Sequence, residues 1–287
     1  MMNLPFKLRK QQGYCTPKGP SFERARPIRF AIDDTLIQFT APKHRTKYKS
    51  NEARHPKSAY QLEKMIFRAD SLDFVLDESW KGFSPLYRAW AFYGDWFTGP
   101  LCEMTMSSSI ITPASPQPGV SFFHPRAFEQ AIADYLTTQY SKHIFKGLSD
   151  YIAPVNWSPI DSLPCVAAYA EVAPNPKLSW GDKKKKYLFF PITDQHLVYI
   201  VFQPSRFLNL SIEELDKRVD PQPMEDLMHN IINSIQLTLS PEAQAQQSKA
   251  LEDLEDTSLK KEFPPLKWTT PEQDAEWIAY QKVVTGA

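Results

Sequence analysis

Two apolar runs separated by four polar residues constrain this chain more than any other feature. Tyr187-Leu188-Phe189-Phe190-Pro191-Ile192 and Leu197-Val198-Tyr199-Ile200-Val201-Phe202 flank Thr193-Asp194-Gln195-His196, the pattern of a β-hairpin. Both runs are rich in aromatic and β-branched residues, so these strands belong inside a sheet that is covered on both faces. Pro191 has no N–H to donate and must stand at a strand end or a bulge. Downstream, Met224, Leu227, Met228, Ile231, Ile232 and Ile235 recur at helical spacing behind Pro221 and Pro223. That spacing predicts a helix whose apolar stripe lies across the sheet. Each large side chain so buried contributes roughly 1.5–3 kcal/mol, enough to outweigh the weak helix propensity of adjacent isoleucines.

The rest of the chain supplies further elements. Ile28, Phe30 and Ile32 alternate with polar neighbours and Leu36-Ile37-Gln38-Phe39 follows Asp33-Asp34, which reads as a hairpin or a bent strand. Tyr60 to Phe67 reads as a short helix and Leu72 to Leu76 as a strand. Leu86–Tyr93 and Leu101–Ile111 pair around Gly94–Pro100. In the second run Cys102, Met104, Met106, Ser108 and Ile110 share one face, and the other, with Glu103, Thr105 and Ser107, is expected to be wet. His124-Pro125 opens a helix carrying Phe128, Ala131, Ile132, Tyr135 and Leu136, stopped by Gly147. Asp150 to Pro164 reads as irregular, and Cys165 to Val172 as a strand.

Strand, hairpin and helix thus occur in the same order twice. The expected fold is α+β, with antiparallel sheets, helices packed on one face and two β-β-β-α units. The expected layout is a basic arm (1–27), a first unit (28–150), a second unit (151–240) that stands beside the first or merges with it, and an acidic extension (241–287). Within the extension, Ala243–Leu254 reads as a polar helix, and Trp268 and Trp277 are expected to dock the tail on its own domain. A chain of 287 residues that is 42% hydrophobic can bury a sizeable core. Its twenty-five prolines against nine glycines predict long, fixed connections.

Formal net charge is zero, yet residues 1–57 hold thirteen Lys or Arg against four acids. The compensating negative charge gathers beyond Ile212, an asymmetry that points to partners of opposite sign or to contact between the termini. Lys43-His44-Arg45-Thr46-Lys47-Tyr48-Lys49 and Arg54-His55-Pro56-Lys57 form the most basic window, Lys43–Lys57, a candidate polyanion site. One interleaved aromatic and no recognised motif argue against nucleic acid as the partner. Cys15, Cys102 and Cys165 have neither disulfide-framework nor zinc spacing. With no signal-like or membrane-spanning stretch, the expectation is a cytoplasmic chain without a membrane partner.

Catalytic signals are sparse. The six histidines are dispersed and no GxSxG elbow or phosphate-cradling glycine loop occurs, so neither metal nor cofactor is expected. The best enzymatic constellation is Cys102 as nucleophile in a cleft between the two units, with His124 or His196 as base and Asp95 to orient it. The apolar face that Cys102 shares with Met104 and Met106 instead makes it a core residue. Better candidates are partner-binding ones: the loop tip Asp95, Trp96 and Phe97, and the acidic run Glu252, Asp253, Glu255 and Asp256.

The stretch Leu197 to Phe202 followed by Met224 to Leu239, with Ile231-Ile232-Asn233-Ser234-Ile235, resembles the closing hairpin and helix of PsbP-like α+β domains, and that resemblance implies fold alone. By general type the chain also resembles bacterial immunity proteins. The implied function is that of a non-enzymatic inhibitor that occludes a cognate secreted toxin, its acidic run or Asp95 loop meeting a basic cleft.

Overall fold

The computed structural model describes residues 13–46, 52–68, 79–95, 98–178, 184–208 and 210–285. Its centre is the hairpin of β10 (Lys185–Pro191) and β11 (Leu197–Arg206). Every residue of β10 and the first six of β11 are buried, and Pro191 closes its strand. On one side β9 (Ala168–Pro174) and β8 (Tyr151–Pro159) continue the sheet, and on the other β5 (Pro100–Pro113) and β4 (Trp80–Tyr93) do, giving six strands in the order β4-β5-β11-β10-β9-β8. All neighbours are antiparallel. β5 and β11 pair from Leu197↔Ile111 to Arg206↔Cys102, so the two halves of the chain share one continuous sheet. The Leu72–Leu76 strand lies outside the described residues.

Alternation along each strand divides the core in two. Leu188, Phe190, Val198, Ile200 and Phe202 face one side with Cys102, Met104 and Met106. There α3 (Gln222–Asn233) adds Met224, Leu227, Met228 and Ile231, and a second sheet of β12 (Gln236–Thr238), β2 (Thr35–Ala41), β1 (Arg26–Ile32) and β3 (Ala59–Tyr60) closes the layer. Tyr187, Phe189, Leu197, Tyr199 and Val201 face the opposite side, against α1 (Pro125–Tyr140) and its Phe128, Ile132, Tyr135 and Leu136. The fold is α+β, its six-stranded sheet antiparallel throughout and its four-stranded sheet antiparallel except where β3 runs parallel to β1. The helices divide between the faces rather than sharing one, because Tyr187 and Leu188 point in opposite directions and both surfaces need cover.

Several local readings change. Tyr60–Phe67 holds a single 3-10 turn, Leu62–Lys64. α1 ends at Tyr140, since Lys146 and Gly147 both adopt positive φ in the tight turn joining β6 (Ile144–Phe145) to β7 (Leu148–Ser149). The stretch 150–164 holds β8, whose register shifts twice, around Asn156 at φ 50°. Those bulges erase the period-two pattern that would have revealed it. The β5 face expected to be wet is half covered: Glu103 is buried and accepts a hydrogen bond from Thr46 Oγ1 at 3.0 Å.

Both chain ends act as straps. Along the outer edge of β4, backbone bonds are exchanged at Lys18 with Tyr93, Arg45 with Ala89 and Ala91, Arg54 with Tyr87, and Arg68 with Gly82. From 13 onward the basic arm is therefore docked, and four basic residues lie along one edge. At the other edge the segment after α4 (Pro241–Leu251) runs back over α1 and β8. Trp157 Nε1 donates to the Lys260 carbonyl at 2.8 Å, and the Leu266 N–H to the Ala153 carbonyl at 2.7 Å. α5 (Pro271–Thr285) then packs against the β6–β7 turn, where Gly147 lies against the backbone of Gln273 and Trp277.

Candidate functional site

Glu252, Asp253, Glu255 and Asp256 stand exposed just past the C-terminal end of α4. Carboxylates there face the negative end of the helix dipole, an arrangement that costs local stability instead of adding to it. Hydrogen bonds from Ser258 hold the Asp256 carboxyl below its ordinary value, and Arg126 Nη2 stands 3.8 Å away. Beside the run opens a hollow of about 560 Å³ lined by Pro159, Ile160, Leu163, Leu251, Leu259 and their neighbours. Leu251 and Thr257, which bracket the acids, both belong to its wall. The wall itself holds one carboxylate, Asp161, and one cation, Lys261, so the surplus of negative charge near this largely apolar hollow is that of the adjoining exposed run.

Asp95 lies exposed in the β4–β5 connection, at the opposite end of the sheet. The Arg126–Asp256 contact sits where Phe122 N–H meets the Asp194 carbonyl, by the β10–β11 turn, whereas the Asp95 turn lies beyond Cys102↔Arg206. The length of β11 separates them, roughly 30 Å at about 3.3 Å per residue. Trp96 and Phe97 lie outside the described residues.

The enzymatic constellation is not assembled. Cys102 is 0% exposed among Met104, Trp90 and Phe202. His124 caps α1, its Nδ1 accepting from Arg126 N–H at 3.1 Å, and His196 sits in the β10–β11 turn with Thr193 Oγ1 at 2.8 Å. Burial pushes the Cys165 thiol up to about 12, far from a nucleophilic thiolate. Among the described residues no group of three or more His, Cys, Asp or Glu side chains could hold a metal, and no helix is long and apolar enough to cross a membrane.

The basic window builds a third place. Between the ends of β1 and β2 and the face of β4 lies a pocket of about 530 Å³ lined by Arg26, Lys43, His44, Ala53, His55 and Arg88 among others. Arg88, 6% exposed, directs Nη2 to His55 Nδ1 at 2.9 Å, and its Nε has no hydrogen-bond partner among the described residues. A guanidinium only donates, so His55 must accept and its ring is neutral. The positive charge of Arg88 holds the His55 pKa below its usual value. His44 Nδ1 accepts from the Ala89 N–H at 2.9 Å, which leaves its neutral ring protonated on Nε2.

Three other buried charges have partners of opposite sign. Lys186 lies between Glu225 and Glu171, the latter at 3.5 Å, with Tyr169 and Asn156 also donating to Glu171. Glu129 meets Arg126 at 2.7 Å, and Arg206 meets Asp216 at 2.6 Å. Sequence reading passed over Arg88. The available signal is its place between Leu86 and Trp90, which puts a cation on the apolar face of a strand. A third concavity, a groove of about 900 Å³ along α1 past Trp80, Val120, Phe122, Ala131 and Asp134, presents little charge.

No protein-family model, no curated protein and no solved structure matches this chain.

Proposed function

We propose that the chain is a non-enzymatic protein-binding module, of the type of an immunity inhibitor that occludes a cognate secreted toxin. The observation that carries this reading is the coincidence of the acidic run Glu252–Asp256 with the apolar hollow walled by Leu163, Leu251 and Leu259. A lysine or arginine from a partner can lay its aliphatic stem in such a hollow and leave its charge on the rim. Apolar anchor and charged rim together are the usual anatomy of an interface centre. A toxin whose cleft is basic, as clefts that hold polyanions are, supplies the complementary charge, which speeds encounter and sets register.

The test uses affinity capture from the native host with the full chain and with a variant carrying Glu252→Lys, Asp253→Lys, Glu255→Lys and Asp256→Lys. The expected partner is retained by the first and lost by the second, and its toxicity on expression is suppressed by co-expression of the unaltered chain. Unchanged complex formation after charge reversal removes the acidic surface from the interface. A captured partner whose toxicity persists removes the inhibitor role.

A further inference from the structure

We propose that the pocket between Arg88, Lys43 and Arg26 binds a phosphate group, with Arg88 as its principal donor. The site is distinct from the acidic run and independent of the reading above. Its warrant is an imbalance of charge. A guanidinium withdrawn from water is expensive unless an anion meets it, yet among the described residues Arg88 has only the neutral His55 ring as a partner, while its Nε is buried and bonded to nothing. Arg206, in the same sheet and comparably buried, has Asp216 at 2.6 Å. What Asp216 does for Arg206, a bound anion would do for Arg88.

The surroundings fit that anion. Arg26 and Lys43 are exposed at the mouth and add two positive charges, and none of the lining residues among those described is acidic. The ring of His44 is fixed by its bond to the Ala89 N–H. Three formal positive charges exceed what one carboxylate can answer. A phosphate monoester offers close to two negative charges and several oxygens, and the planar fork of arginine matches that geometry. Pro27, Ile28, Ala41, Pro42 and Ala53 give the remaining wall an apolar character. At about 530 Å³ the space exceeds a bare phosphate ion and admits a small organic group behind it.

The experiment is isothermal titration calorimetry of the full chain with inorganic phosphate and with phenyl phosphate at constant ionic strength, using chloride as the control. Saturable one-site binding is expected with at least one of the two ligands. Comparable affinity for both assigns the site to free phosphate, and a clear preference for phenyl phosphate assigns it to a monoester. Arg88→Met should weaken binding roughly ten- to a hundred-fold, the range for losing hydrogen bonds to a charged group. It should also raise the thermal midpoint in phosphate-free buffer, because an unpaired buried charge has been replaced by an apolar chain of similar length. Should that variant fail to fold, Arg26→Ala with Lys43→Ala, both exposed, should still lower affinity several-fold. The proposal is overturned if neither ligand binds, if Arg88→Met or the double alanine variant binds as well as the unaltered chain, or if a single-stranded oligonucleotide binds both forms equally while the two phosphates bind neither.

Discussion

Trp268 donates from Nε1 to Thr137 Oγ1 at 3.1 Å, fastening the C-terminal strap to α1, and its ring lies stacked with Tyr140. Trp268→Ala removes a half-buried indole together with that bond. The expected cost is about 2 kcal/mol in urea unfolding, with faster tryptic cleavage after Lys260, Lys261 and Lys267. A change below about 0.5 kcal/mol with unaltered proteolysis would show that the strap adds nothing to the fold.

At Gly147 the β6–β7 turn lies directly against the backbone of α5. A Cβ there would stand 1.9 Å from the Gln273 carbonyl oxygen, and the residue's φ is +80°. Gly147→Ala therefore meets both a backbone clash and an unfavourable conformation, worth about 1–3 kcal/mol for the strain alone. The expected outcome is release of α5, read as a red shift of Trp277 emission and protease sensitivity near Lys282. The far-UV signal of the sheets should persist. An unshifted spectrum would mean that α5 is not seated on the β6–β7 turn.

His196 ties stability to pH. Burial lowers its pKa from 6.5 to about 4, while the Asp33 carboxylate acts weakly in the other direction. A histidine kept neutral in the folded state takes up its proton first in the unfolded chain. Between pH 6.5 and 4 the unfolded state thus binds more protons, and stability falls as pH falls through that window. The contribution is at most about 3 kcal/mol. Denaturant midpoints measured from pH 7.5 to 4.5 should decline, and His196→Gln should flatten the curve. Parallel curves for the two proteins would remove His196 as the cause.

Cys15, Cys102 and Cys165 are buried, and none forms a disulfide with another of the three. In the native protein they should react with a thiol reagent no faster than the chain unfolds, and all three should react at once in denaturant. Rapid labelling of Cys102 in native buffer would reopen its candidacy as a nucleophile.

The parts of this molecule that were readable in the sequence are those where one physical rule acts alone. The β10–β11 runs and the α3 stripe are dictated by burial, and both stand where their periodicity puts them. β8 was hidden because Asn156 and two register shifts break its alternation. The end of α1 is not legible in the sequence because Gly147 terminates nothing helical and instead makes a hairpin turn. The acidic run was legible as charge, but the hollow beside it was not: its walls come from segments around Leu163 and Leu251 that only the chain path brings together. Arg88 shows the same limit. Its position on an apolar strand face could be read, but its isolation from any carboxylate could not, since that depends on which of many acids lie near it in space.

The occupied outer edges of the long sheet bear on how this protein behaves when concentrated. β4 offers fourteen residues of extended backbone, the kind of surface on which a second molecule can add strand by strand. Lys18, Arg45, Arg54 and Arg68 occupy those positions with their own main-chain groups and set four cations beside them. Loss of the N-terminal strap would do more than weaken the fold. It would expose a template for fibrous self-association, so the edge segments at Lys18, Arg45, Arg54 and Arg68 serve as the guard against polymerisation for a sheet whose central strands are almost wholly apolar.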